Sequence, residues 1–234
     1  MRPTLAAVVA IGAYVWVAGS GTAAHDFNST ITWNREISRL VFDRCVPCHR
    51  EGGTSFALMT YADAQPRATA IKDAVLSRRM PPWGAVKGFG NFRNDRGLTQ
   101  EQIELFAAWV EGGIRRGNNA AMLPPPPTAF APADSTRVPA GSVVVGHDTT
   151  LTRDFTADGL IPQNVRRSSG MQITAVLPDK RVVPLVWLYE YREMYQHPFL
   201  FRRPIQLPAG TVIRGVKAPA RIALLPVVPV GGAK

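Results

Sequence analysis

The chain has 234 residues, 46% hydrophobic and 19% charged, with a formal charge of +10. This composition excludes a disordered chain and a multi-span membrane protein, and the length fits two modest domains. Residues 25–117 hold 13 basic and 10 acidic side chains, and residues 118–234 hold 13 and 7. The excess in the second half suits a solvated basic surface, or weak attraction to acidic proteins or lipid headgroups, rather than nucleic acid.

Arg2 precedes an uncharged, mostly apolar run from Leu5 to Gly19, closed by Thr22-Ala23-Ala24. The run is shorter than the roughly 18–20 residues that span a bilayer. Residues 1–24 therefore read as a cleavable signal peptide, with an uncleaved anchor as the alternative. The mature chain then begins near His25 and works in the periplasm or another exported compartment, with peripheral membrane association at most.

A helix is predicted over 32–47, capped by Thr32 or Asn34, with Ile37, Leu40 and Val41 at helical spacing. It runs into Cys45, and Pro47 halts it. Residues 51–55 form a loop. Thr60 and Asp63 have capping-box spacing, Pro66 divides the following stretch, and the main piece is about 67–79 with Ala68, Ile71, Val75 and Leu76 on one face. Met80-Pro81-Pro82 ends it. Residues 83–97, with four glycines, read as a loop. Thr99 caps a last helix through Ile103, Phe106, Ala107 and Val110, which Gly112-Gly113 terminates.

Residues 118–141 include four consecutive prolines, Pro124 to Pro127, and read as a stiff linker in polyproline II form. Six or seven short strands follow, at Ser142–His147, Met171–Leu177, Val182–Leu188, Phe199–Leu207, Val212–Val216 and Ile222–Val228. Asp154 and Asp158 fall in a turn-rich stretch. Trp187, Tyr189 and Tyr191 alternate, as one packed face of a sheet would, and with Tyr195 they also suit a contact surface.

The chemistry concentrates at Cys45-Val46-Pro47-Cys48-His49. Cys-x-x-Cys-His is the attachment motif for a c-type heme: two thiols reach the two vinyl groups, and the adjoining imidazole lies under the iron. A disulfide is the general expectation for paired cysteines in an exported protein, but the adjacent histidine favours heme. A thioredoxin-type site would need a βαβ context. A zinc site would need more ligands than His25, His49, His147 and His197 offer at these spacings. His49 is thus the proximal iron ligand. Met80 is the first choice for the opposite axial position; Met59, Met122, His147 and His197 compete with it, and the position can also be open. A Met/His pair raises the potential. Arg78 and Arg79 either meet heme propionates or form a solvated helix end, and Trp83 and Trp109 either wall the heme or belong to the core.

With Gly52-Gly53, Thr60–Ala64, Arg78–Trp83 and Ala108–Gly113 added to the motif, residues 32–117 resemble bacterial c-type cytochrome domains of the Met-Pro-Pro-Trp type. The resemblance implies Met80 as distal ligand and one covalent heme c held by Cys45, Cys48, His49 and Met80. Residues 142–228 resemble part of the copper type II, ascorbate-dependent monooxygenases, best at Val176–Arg181 and Leu207–Thr211. Their copper-binding His-x-His is missing, and Asn164-Val165-Arg166-Arg167 stands where it would be expected. The resemblance therefore carries over fold and not copper or activity.

The expected organisation is α+β: a signal peptide (1–24), an all-α cytochrome c fold (25–117), the linker (118–141) and an all-β sandwich or jelly-roll-like domain (142–234). The expected function is electron transfer to or from an unknown redox protein. An electron-relay heme within a monooxygenase-like oxidoreductase, and a heme-based redox or gas sensor, are the alternatives.

Overall fold

The computed structural model describes residues 30–130, 134–166, 170–192 and 197–227. The expected signal segment, His25, Arg167 and Tyr195 lie outside these residues. The fold is mixed helix and strand with antiparallel sheets, an α+β arrangement. Among the described residues no helix is long and apolar enough to cross a membrane.

The first helical stretch is shorter than expected. A π turn at Trp33–Ile37 leads into α1 (Ser38–Arg44), which stops before Pro47. Thr32 holds the cap position, yet its hydroxyl caps nothing; its amide donates to the Glu36 carboxylate at 2.9 Å. Asn34 is no cap either. It is buried in the first turn, and its Nδ2 donates to the carbonyls of Gly117 and Asn119 at 3.2 and 3.4 Å. The side chain thereby ties the start of the helical unit to its end.

The two capping boxes read from the sequence are present. Thr60 and Asp63 open α2 (Tyr61–Ala64), and Thr99 and Gln102 open α4 (Gln100–Glu111). Each box satisfies two amides that a helix start leaves without partners. Pro66 lies in a 3-10 turn, Gln65–Arg67, ahead of α3 (Ala68–Leu76). Ala68, Ile71 and Val75 face inward, but Leu76 is 50% exposed, one position off their face. Trp33, Ile37, Phe106 and Trp109 form the centre of the helical core, with the two indoles 6.1 Å apart.

Among the described residues the β region has eight strands: β1 (Val143–Val145), β2 (Thr149–Thr150), β3 (Phe155–Gln163), β4 (Met171–Val176), β5 (Val182–Leu188), β6 (Phe199–Leu207), β7 (Val212–Arg214) and β8 (Arg221–Pro226). They form two four-stranded sheets, in the orders β1-β8-β3-β6 and β2-β7-β4-β5. All pairings are antiparallel. Leu160, Phe199 and Leu224 from one sheet and Ile173, Leu185 and Ile213 from the other share one core.

The sequence reading overlooked β3, which pairs with β6 on one side and β8 on the other. Asp158, Gly159 and Pro162 are poor strand formers and hid it. A register shift between Ala157 and Gly159 breaks its regularity as well. Asp158 is accordingly no turn residue: it sits in β3 and binds Arg93 through both carboxylate oxygens, at 3.0 and 2.7 Å.

The aromatic alternation also reads differently in the structure. Leu185, Val186 and Leu188 are the buried positions of β5. Tyr191, past the strand end, is buried, whereas Tyr189 is 53% exposed and Trp187 is half-buried. These rings do not form one packed face.

Residues 83–97 are irregular, as expected, but their apolar side chains belong to the β core. Trp83 and Phe92 pack there with Phe199 and Phe201. Glycines allow the approach. A Cβ on Gly84 would stand 2.9 Å from Tyr191 Cα, and one on Gly90 would stand 2.5 Å from the Leu185 carbonyl oxygen. Both residues also have positive φ. The Pro-rich stretch is anchored at several points: Arg50 lies over Phe130 at 4.3 Å, Arg96 pairs with Asp134 at 3.2 Å, and Val138 packs beside Ile161.

Candidate functional site

After α1 the chain makes one more turn rather than leaving the helix direction at once. The amides of Cys48 and His49 both donate to the Cys45 carbonyl, at 3.1 and 2.9 Å. These two bonds bring the backbone of Cys48 and His49 one turn on from Cys45. The Gly53 amide closes the following loop on the Arg50 carbonyl, and the Leu58 amide returns to the His49 carbonyl at 2.9 Å.

The imidazole has a defined orientation. His49 Nδ1 donates to the Phe56 carbonyl at 3.1 Å, and the Phe56 ring stands edge-on to it, 4.6 Å between centroids. A proton held at Nδ1 leaves the Nε2 lone pair for a metal, the usual second interaction of a ligating histidine. Burial holds this imidazole below its ordinary value, with the Phe56 carbonyl opposing, so the neutral ring is favoured.

Both cysteines are free thiols. Cys45 packs against the helical core, and burial pushes its thiol up to about 12, assisted by the nearby Cys48 and Asp43 charges. Two unjoined thiols and an imidazole tied through Nδ1, all on one turn, fit a covalent heme. They do not fit a four-ligand zinc site. Among the described residues no group of three or more His, Cys, Asp or Glu is placed to hold a metal ion. An iron carried in a porphyrin needs only two axial protein ligands, so that observation bears on bare metal ions alone.

Met80 follows the end of α3, where its amide donates to the Ala74 carbonyl at 3.1 Å. It lines a cavity of about 370 Å³ together with Val75, Leu98 and Ile103 from the helical core and Trp187 and Tyr189 from the β region. Cys45, Cys48 and His49 are not among the residues that line it, but Arg44, next to the motif, is linked to its rim. Arg44 donates to the Asp95 carbonyl at 2.7 Å, and the Asp95 carboxylate holds Lys87, on the cavity rim, at 2.6 Å. Arg78 also lines the cavity and donates to Gln100 at 3.0 Å, joining the end of α3 to the start of α4. Arg79 donates to Ser77.

The other axial candidates are placed less well. Met59 packs against the helical core, and Met122 is exposed in a 3-10 turn, Ala120–Met122. His147 is exposed in the β region. His197 is buried with both ring nitrogens against carbonyl oxygens, Pro198 at 3.1 Å and Trp83 at 3.0 Å, so neither nitrogen is open to a metal. Trp109 is a core residue of the helical unit, and Trp83 a core residue of the β region that also borders the cavity.

Sequence reasoning missed Asp95, Asn94 and the structural use of His197. Trp83 and Phe92, each near a glycine in an otherwise polar loop, were the available signal that the loop packs onto something. No family model, curated protein or solved structure matches this chain.

Proposed function

We propose that this protein is an exported monoheme c-type cytochrome that transfers electrons. In this reading the helical unit is a cytochrome c fold and the paired sheets are a sandwich appended to it. The single observation that carries it is the turn at Cys45–His49, which holds two free thiols and an oriented imidazole within five residues.

The heme, when bound, supplies an iron that cycles between two oxidation states. The chain's own residues do the rest. Cys45 and Cys48 fix the ring by thioether bonds, so it cannot dissociate. His49 offers Nε2 while Phe56 holds its other nitrogen. Met80 would offer a soft, uncharged thioether as the second iron ligand, a donor that favours the reduced state. If His49 and Met80 both held the iron, substrate would have no site on the metal, which would favour a carrier over an enzyme or a gas sensor. Apolar neighbours such as Val75, Leu98 and Ile103 keep water away and tune the potential. The partner is then a redox protein in the same compartment, met without nucleic acid and with peripheral membrane contact at most.

The test is the absorption spectrum of protein expressed in a periplasm competent for heme attachment, oxidised and reduced, beside Met80→Ala. A weak near-red band of Met–Fe(III) bonding in the wild type, absent from the variant, is expected. A reduced wild type that lacks this band and takes up carbon monoxide at once would replace the carrier with a sensor or a catalytic heme.

A further inference from the structure

The segment after Met80 is bound to the β region along its length. Val86 donates its amide to the Trp187 carbonyl at 2.8 Å, and Tyr189 returns its amide to Gly84 at 3.1 Å. Further on, Arg93 donates to Leu200 at 2.9 Å and Arg202 to Asn91 at 2.8 Å. Gly84–Val86 thus extends the edge of β5, and 91–93 the edge of β6, with bridges at Ala85–Leu188 and Phe92–Phe201.

Side chains reinforce the backbone. Asn94 Nδ2 donates to the Pro198 carbonyl at 2.8 Å, while its oxygen accepts from the Leu200 amide at 3.0 Å. His197 Nε2 bonds the Trp83 carbonyl, and the two rings stack. Only Pro81 and Pro82 separate Trp83 from Met80, and on its other side Met80 is tied to Ala74. The cavity at Met80 takes one wall from α3 and α4 and the other from Trp187 and Tyr189.

We infer that the β region is a positioning device for the distal heme ligand: it clamps the Met80 loop through His197, Asn94 and the β5 and β6 edges, and it closes the cavity beside Met80 with Trp187 and Tyr189. The inference rests on the carrier reading above and assigns the β region a task there. A loop with glycines at 84, 88, 90 and 97 has many conformations of its own. Left free, it would let the weak thioether bond open. Held at both ends, it keeps the sulfur at one place. His197 and Asn94 are positioning residues, since neither touches the metal.

The experiment uses the full heme-loaded protein and measures the rate at which its reduced form takes up carbon monoxide, which can bind only when Met80 leaves the iron. His197→Phe keeps a flat ring against Trp83 but removes the ring nitrogen that meets the Trp83 carbonyl. Asn94→Ala removes a half-buried tie and serves if the first variant does not fold. Val182→Ala, on the exposed face of β5, is the control. Uptake faster by about tenfold or more is expected for the first two, the change that one lost buried hydrogen bond produces in an opening equilibrium, with the control unchanged. Folded variants within about twofold of wild type would overturn the clamp and leave the carrier reading intact. A wild type without covalent heme, or with uptake that Met80→Ala does not alter, would defeat the carrier reading and the clamp together.

Discussion

His197 lies flat on Trp83, with ring centroids 4.9 Å apart and planes 8° from parallel, while its Nε2 meets the carbonyl of the same tryptophan at 3.0 Å. One residue thus grips another by face and by backbone, across 114 positions of sequence. The contact joins the segment after Met80 to the entry of β6, and it makes the state of one imidazole matter to both parts of the molecule.

The contact predicts acid sensitivity. Burial holds the His197 imidazole below its ordinary value, which outweighs the Pro198 and Trp83 carbonyls; Arg96 adds to the lowering and Asp134 opposes it. In the unfolded chain the ring titrates near the ordinary value of about 6.5. The folded protein therefore binds fewer protons than the unfolded one in the interval below that value. Stability is full above about 6.5 and is lost as pH falls toward the lowered folded value. Urea midpoints measured from neutral to mildly acid pH should fall in the wild type and fall less in His197→Phe. Equal slopes would show that His197 is not buried as a neutral ring.

Heme attachment makes a separate prediction at Cys45 and Cys48. Each thiol is free and on the same turn. Replacing either with alanine should leave one thioether and weaker heme peroxidase staining after denaturing electrophoresis. Replacing both should abolish the staining. The doubly substituted protein should also unfold at lower urea, because a bound cofactor stabilises only the folded chain. Full staining of the double variant would show that these thiols do not hold the group.

The helical half was legible because its signals are local. Thr60 with Asp63 and Thr99 with Gln102 announce two helix starts within four residues each. Of the face expected at Ile103, Phe106, Ala107 and Val110, the first two are buried; Ala107 and Val110 are half-buried and Trp109 is the third buried position. The Cys45–His49 motif was legible for the same reason, though the further turn it makes past Pro47 was not. What the sequence hid is non-local. β3 is held by pairing on both edges despite Asp158, Gly159 and Pro162. Residues 83–97 look like a loop because they form no element of their own, and nothing within them says that β5 and β6 lie alongside. The expected packed face at Trp187, Tyr189 and Tyr191 failed because β5 ends at Leu188, after which two-residue alternation no longer applies.

The Arg93–Asp158 pair tests whether the loop is held by charge as well as by backbone. Arg93 meets both carboxylate oxygens and also donates to the Phe201 carbonyl at 2.6 Å. Its side chain remains 41% exposed, so solvent screens the pair. A double-mutant cycle with Arg93→Ala and Asp158→Ala should give a coupling of about 0.5–1 kcal/mol, the upper part of the range for exposed pairs, because the geometry is bidentate. Arg93→Ala alone should cost more than Asp158→Ala, since it also abandons Phe201. The reverse order would place the main contribution on the carboxylate.

Trp109 should be the costliest single position in the helical core. It is fully buried, lies 6.1 Å from Trp33, and its indole nitrogen donates to the Arg115 carbonyl at 3.0 Å. Trp109→Ala removes the ring and leaves a cavity, a loss of about 3–5 kcal/mol. Trp109→Phe keeps most of the apolar area and removes one of the two donors to that carbonyl, for about 0.5–1.5 kcal/mol. That carbonyl belongs to the segment returning from α4 to the first turn, where the Trp33 amide also donates to Arg115 at 2.9 Å. The phenylalanine variant should therefore raise hydrogen exchange at Trp33 and Asn34 more than in α3. Uniform exchange across the helical unit would mean that the indole contributes volume alone, and that its hydrogen bond does not fasten the two ends of the unit.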